Sequence, residues 1–450
     1  MAGVGARSRI TLAEARVGNE LSRRGLLSAA VLAGSATIGA AALAGCADRD
    51  PRRSSKQGGQ TTGTLRVAHS PWISGGAPWL FTDLKAAFEA QNPGLTVKFS
   101  PLVDPQSAPT AIVQKYALEA RRGIASADVL LGPVSWTALA PMARAGALLP
   151  LDDVVPHAFL DRLLPASRAE AVMPDGKRYG VPYWSDVIGF LTRTDLLTRY
   201  DIPAPQSWHE LVDTAKTLAK VLPDGTYAFS ADYTQPVRLF LPILVTLTDK
   251  PFAENGTLDI GSAAALEALE LMKQLVSFMP PGSDQRDAAL RSLQAGKVAM
   301  GTFWQGTYKQ TLNGKLTPDQ LSYRPNLSGR HPGTVYWNTS AMVLAHSPMP
   351  EMAVKFITEA LYSDLALKKS VEQSGRFAPV ADMARRVQMP AWLKTAFQQL
   401  DTASVLPGND AFLRVENTAF TEQVGRMILR GQSAADTQKA LTATFKTYRW

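Results

Sequence analysis

From residue 64 onward, the apolar positions of this 450-residue chain fall into short extended runs separated by helical stripes. Leu65-Arg66-Val67-Ala68 reads as a short strand. After a loop rich in Ser, Pro, Gly and Trp, residues Trp79, Leu80, Leu84, Ala87 and Phe88 recur at helical spacing until Pro93-Gly94 stops them. Thr96-Val97-Lys98-Phe99 restores strand periodicity, a helix is predicted over 111–122, and Asp128-Val129-Leu130-Leu131 reads as a buried strand. This βαβαβ opening predicts a parallel sheet covered by helices.

Further strands are predicted at 179–183 and 187–191. Ser207-Trp208-His209-Glu210 forms a capping box ahead of Leu211, Ala215 and Leu218, while Pro203 and Pro205 block an earlier helix start. A long amphipathic helix is expected over 262–278, a short buried strand at Val298-Ala299-Met300 and extended chain over 335–344. Helices follow at 352–361 and 412–430, the last closed by Gly431. No repeat at fixed period interrupts this alternation, which predicts an α/β chain with a helical C-terminal part.

Composition narrows the class. At 46% hydrophobic and 19% charged residues with nine tryptophans, wholesale disorder, collagen and coiled coil are excluded. The length, about three times the roughly 150 residues typical of one domain, argues for two lobes. The net charge of +8 is concentrated at the N-terminus, and only +3 remains beyond residue 63. With no basic block interleaved with aromatics, nucleic acid is not an expected partner.

Ser22-Arg23-Arg24-Gly25-Leu26-Leu27 leads into a run over 26–45 that carries no charge, in the manner of a twin-arginine export signal. It ends in Leu43-Ala44-Gly45-Cys46, where the chain's one cysteine resembles the lipidated residue of a bacterial lipobox. An uncleaved membrane anchor is the alternative, although an Ala/Gly-rich run is weakly hydrophobic. The expected products are a signal peptide (1–45), a flexible linker (46–63) and a body lipid-anchored through Cys46 on the extracytoplasmic face of the cell membrane.

Catalytic and metal chemistry find little support. The five histidines, His69, His157, His209, His331 and His346, lack metal-ligand spacing, and no GxSxG, GxxxxGK[ST] or GxGxxG motif occurs. No cofactor and no metal are expected. A pair of carboxylates suited to glycoside hydrolysis remains open among the 39 acidic residues. Tryptophan and tyrosine stand beside polar residues in predicted loops at strand ends: Trp72 and Trp79; Trp136; Tyr183-Trp184 with Asp186; Trp304 with Gln305 and Tyr308; Tyr336-Trp337-Asn338. Such loops are where open α/β sheets bind ligands. Indole faces with carboxylate, amide and guanidinium partners suit the C–H patches and hydroxyl rims of sugars, although large aromatics also fill cores. Trp208 and Trp392, inside helical patterns, are expected to pack.

The segment Tyr179-Gly180-Val181-Pro182-Tyr183-Trp184-Ser185-Asp186, then Gly189-Phe190-Leu191-Thr192-Arg193-Thr194-Asp195-Leu196-Leu197, then Pro205-Gln206-Ser207-Trp208-His209-Glu210-Leu211 resembles the middle signature of family 1 extracellular solute-binding proteins of ABC importers. Ala127-Asp128-Val129, Ala145-Gly146-Ala147-Leu148-Leu149-Pro150-Leu151, Leu293-Gln294-Ala295-Gly296-Lys297-Val298-Ala299-Met300, Ala353-Val354-Lys355-Phe356-Ile357 and Ser374-Gly375-Arg376-Phe377-Ala378-Pro379 follow the family's order. Two departures stand out: Thr192-Arg193 replaces the usual Tyr-Asn, and the first strand ends in Ala68-His69-Ser70 where an aromatic is common.

The resemblance implies a two-lobed periplasmic-binding-protein type II fold, each lobe a mostly parallel sheet flanked by helices, with a cleft between. Lobe 1 is expected over 64–183, lobe 2 over 184–334, a crossing back to lobe 1 over 335–385, and C-terminal helices mainly in lobe 2 over 386–450. The resemblance implies capture rather than catalysis. A carbohydrate would bind against Ser70, Trp72, Ser135, Trp136, Tyr183, Trp184, Asp186, Trp304, Trp337, Asn338 and Arg376, and a monomer would deliver it to ABC permease transmembrane subunits. A glycerophosphodiester or polyol is the alternative ligand, with Arg193 or Arg376 meeting a phosphate; a surface glycoside hydrolase is the more distant reading.

Overall fold

The structure, a computed structural model, describes residues 61–102, 109–170, 172–173, 175–233, 235–285, 287–406, 411–412 and 415–448; for residues 109, 133–138, 166, 169, 170, 405, 416 and 417 it describes the backbone alone. The expected signal peptide, Cys46 and most of the linker lie outside these residues. Among the described residues no helix is long and apolar enough to cross a membrane.

The described strands form one continuous sheet whose two halves share a single long strand. β1 (Gly63–His69) lies between β2 (Leu95–Pro101) and β3 (Val129–Val134), parallel to both, and β3 pairs antiparallel with β8 (Thr334–Val343). β4 (Val181–Arg193) runs antiparallel to β8 through residues 181–187 and then leaves it, its second half pairing antiparallel with β6 (Val298–Trp304) on one edge and β7 (Leu321–Pro325) on the other. β5 (Tyr227–Ala231) lies parallel to β6, and the short β9 (Ala403–Val405) parallel to the start of β8. The arrangement is a mixed sheet rather than two mostly parallel ones. Strands joined by helical crossovers run parallel, whereas every antiparallel pairing involves β4 or β8, the strands that pass from one lobe to the other.

Burial explains the strands. β2 alternates, with Leu95 and Val97 inside and Thr96 and Lys98 outside. In the first half of the sheet Leu65, Val67, Val129 and Val343 enter one apolar cluster while Ala68, Leu130 and Met342 enter another, so both faces are covered. β4 is buried along its 13 residues except at the half-exposed Asp186, and β8 is buried throughout. The two strands predicted at 179–183 and 187–191 are thus one, with a register shift between Pro182 and Trp184 accommodating the proline.

A second apolar core gathers the helices Trp208–Val221, Val237–Leu247, Ala263–Val276 and Ala434–Phe445 around β5 and β6. Ser207 Oγ accepts the Glu210 N–H at 3.3 Å, and Glu210 in turn accepts the Gln206 N–H at 2.8 Å, one residue earlier than a strict capping box. Every residue of Val237–Leu247 is buried, so this helix has no amphipathic stripe for a sequence reading to find. Helix Phe420–Leu429 ends before Gly431 at φ 73°, the expected C-terminal cap.

Candidate functional site

Where β4 and β8 pass between the lobes, a cavity of about 210 Å³ opens. It is lined by Trp72 of the first lobe, Asp186 of β4, Trp337 and Thr339 of β8, Phe303 and Trp304 at the end of β6, and Arg376. The far wall carries Asp232, Arg238, Ser283, Gln285, Asp287, Thr307 and Gln310. Trp304 and Trp337 meet at 84° with centroids 4.4 Å apart, presenting two indoles as a right-angled corner.

Two acid–arginine pairs set the electrostatics. Arg376 Nε donates to Asp186 Oδ1 at 3.0 Å and Oδ2 at 3.2 Å, and Arg238 Nη1 to Asp232 Oδ2 at 2.9 Å. The Arg376 guanidinium also lies 4.9 Å from the Trp72 ring centroid and 5.6 Å from that of Trp184, close enough for cation–π attraction. Local backbone design places it. Gly375 has φ 62°, and a Cβ there would fall 2.8 Å from Lys309 Cβ and 3.0 Å from Trp392, so glycine is required to turn Arg376 inward. The neighbouring Ser374 Oγ donates to the Gly76 carbonyl at 2.7 Å and accepts from Trp79 Nε1 at 3.2 Å, fastening this turn to the first lobe.

Asp186 is held from the other lobe by Gln305. Strand β6 ends at Trp304 and a helix, Gln305–Thr311, begins. The buried Gln305 amide continues the ladder in place of a backbone: its Oε1 accepts the Val187 N–H at 2.7 Å, and its Nε2 donates to the Ser185 carbonyl at 2.9 Å and to Asp186 Oδ1 at 3.2 Å. The site therefore offers apolar faces, fixed donors and acceptors, and two arginines each paired with an acid of the protein. Among the described residues no group of three or more His, Cys, Asp or Glu is placed to hold a metal.

The profile of the bacterial extracellular solute-binding protein family matches residues 80–363, more than half of the chain. The chain belongs to that family. The chain is 27% identical over 246 residues to binding proteins of Brucella abortus (strain 2308) and Brucella suis biovar 1 (strain 1330), covering 53% of this chain and 57% of each relative. It thus spans little more than half the length of these curated relatives. Its fold is similar to that of the GacH receptor of Streptomyces glaucescens, solved unliganded and with acarbose and an acarbose homologue (TM-score 0.71, 21% identity, 86% of this chain and 100% of that one). It is also similar to T. maritima MalE3 with maltose bound (TM-score 0.70, 21% identity, 85% of this chain and 99% of that one). These are α/β binding-protein folds.

Of the residues singled out from sequence, the fold brings Trp72, Asp186, Trp304, Trp337 and Arg376 together around one cavity. Others lie elsewhere and correct the expected site. Ser70 is fully buried and donates to the Gly132 carbonyl. Tyr183 is buried, its ring centroid 4.9 Å from that of Trp184, and burial pushes its phenol pKa up. Trp184 shares Asp186's face but lies beneath Trp72, at 5.9 Å, and donates to Ser370 Oγ at 2.8 Å; it is a floor under the site, not its surface. Asn338 is fully buried, its Oδ1 accepting from Ser185 Oγ at 2.5 Å and Ser167 Oγ at 3.3 Å. Arg193 is outside the cavity, bound to Asp195 at 2.6 Å and to the Gly296 carbonyl at 2.8 Å. Ser135 and Trp136 begin the helix Ser135–Arg144; their side chains lie outside what is described.

Sequence reasoning missed Asp232, Arg238, Gln285, Thr307, Gln310 and Thr339. Three carried a readable signal: Arg238 is the lone cation in the apolar run 237–247, and Thr307 and Gln310 follow Trp304 at three-residue spacing, one helical face.

Proposed function

We propose that this chain is the substrate-binding component of an ABC importer, capturing a neutral carbohydrate, a mono- or oligosaccharide, between its lobes and delivering it to permease transmembrane subunits. One observation carries the reading: three indoles and two internally neutralised acid–arginine pairs converge on a cavity at the strands joining the lobes. Indole faces stack on sugar C–H surfaces, and the paired side chains keep donors and acceptors to spare for hydroxyls without asking the ligand for a counter-charge. The acarbose and maltose held by the two structural relatives support a sugar here.

In this reading residues 64–183 and 335–385 contribute to lobe 1, and residues 184–334 with most of 386–450 to lobe 2. A ligand touching Trp72 on one side and Trp304 on the other shifts the balance between open and closed forms, and the closed form docks on the permease. Stacking plus several hydrogen bonds in such a cleft is consistent with micromolar affinity, about 8 kcal/mol. Export through the twin-arginine signal and lipidation at Cys46 would hold the monomeric receptor on the outer face of the cell membrane, and the protein turns nothing over.

The presence of Arg238 and Arg376 in the cavity favours one second reading, a glycerophosphodiester or polyol, if a phosphate displaces a carboxylate from its arginine. Thermal melts against neutral sugars and phosphodiesters separate the two. A ligand at a hundred times its dissociation constant stabilises the fold by about 2.7 kcal/mol. A melting shift with sugars that W304A reduces supports the carbohydrate reading, whereas a shift only with phosphodiesters, lost in R376Q, replaces it. Release of product from a chromogenic glycoside would overturn both.

A further inference from the structure

A second cavity, of about 550 Å³, shares no lining residue with the cleft. Its floor is one face of the β4–β7 ribbon, where Thr192 stands opposite Ser322 and Phe190 opposite Arg324. Its walls come from the helix Thr194–Arg199, through Leu197 and Thr198, and from the turn over 201–204.

Arg324 is under-used by the protein. Its guanidinium lies 5.6 Å from the Phe190 ring centroid and Nη2 donates to the Pro205 carbonyl at 2.7 Å, yet Nε is buried without a hydrogen-bond partner and no described carboxylate forms an ion pair with it. Burial alone lowers its pKa, with no neighbouring acid to restore it. Beside it Thr192 is 1% exposed, and its Oγ1 also lacks a partner. A half-buried cation without a counter-charge and a buried hydroxyl without a partner are both destabilising, and both residues line the same cavity.

We propose that this cavity is a second ligand site, which takes the oxyanion of a small molecule, a carboxylate or a phosphate. The anion accepts from the Arg324 guanidinium and from the hydroxyls of Thr192 and Ser322, and the apolar side chains of Leu197 and Ile202 flank the remainder of the molecule. Asp201, exposed on the rim and held in the left-handed region at φ 53°, lowers the affinity for the anion without blocking it.

Isothermal titration of the full chain with inorganic phosphate and, separately, acetate at constant ionic strength tests this, and the anion that binds identifies the group. T192V, which keeps shape and removes one donor to a charged acceptor, should weaken binding about tenfold. R324Q should abolish it, D201N should tighten it, and W304A in the cleft should leave it unchanged. Urea midpoints establish that each variant is folded, and T192V decides the matter should R324Q fail to fold. Absence of binding by both anions, or equal binding by wild type and T192V, would overturn the proposal.

Discussion

Asp186 and Arg376 are the contact on which the geometry of the cleft turns, and a double-mutant cycle measures it. Their side chains are 13% and 11% exposed. Removing one partner of a buried ion pair costs about 3–5 kcal/mol because the survivor stays buried and unmatched. In D186N the stranded guanidinium keeps the Trp72 and Trp184 rings, which places the cost at the low end, about 3 kcal/mol. In R376Q the stranded carboxylate keeps the Gln305 amide at 3.2 Å, so about 2 kcal/mol is expected. The double variant strands no charge and should lose about 1.5 kcal/mol, less than the sum of its parts. Urea unfolding followed by tryptophan fluorescence, extrapolated linearly, gives each stability. The reasoning requires a coupling of about 2 kcal/mol or more; additivity within about 0.5 kcal/mol would refute it, because residues that do not interact add.

Further outcomes follow from the same structure. W304A removes an indole face and its corner with Trp337, and should weaken ligand binding by about 1–3 kcal/mol, read by titration calorimetry; an unchanged dissociation constant would remove Trp304 from the site. G375A forces a side chain into the left-handed region and against Lys309 and Trp392, so stability should fall by about 2 kcal/mol in urea melts and Arg376 should be displaced, weakening ligand binding as well. His69 is buried against Phe81 at 4.8 Å, and burial lowers its pKa below the usual 6.5. The folded state therefore binds fewer protons than the unfolded one, and His69's contribution is present above pH 6.5 and lost as pH falls below it. Between pH 7 and 5 the wild type should lose stability faster than H69N, and parallel curves for the two would contradict the assignment.

Much of the fold can be read from the chain because its strands are short, apolar and punctuated. β1, β2, β3 and β8 and the helix capped by Ser207 stand within a few residues of where periodicity places them. What periodicity cannot register is complete burial. β4 interrupts its apolar run with Ser185 and Asp186, which reads as a loop, yet the backbone continues because the polar pair faces Asn338 on one side and the cleft on the other. The helix Val237–Leu247 is apolar all round and so has no face to recognise.

The site divides for related reasons. Trp72, Asp186, Trp304, Trp337 and Arg376 were legible as aromatic and charged residues beside strand ends. Tyr183, Trp184 and Asn338 have the same local signature but are packed beneath other side chains, Trp184 under Trp72 and Asn338 against Ser185 and Ser167, and depth of burial is not written in the local sequence. Asp232 and Arg238 reach the cavity through β5 and a helix that the pattern did not reveal.

The central claim is that this cavity closes on a neutral, hydroxyl-rich solute. Titration calorimetry of wild type and W304A against a panel of neutral mono- and oligosaccharides tests it most directly. The account predicts that at least one sugar binds wild type with micromolar affinity and binds W304A at least about fivefold more weakly. Silence across the panel, or equal affinity for both proteins, would contradict it.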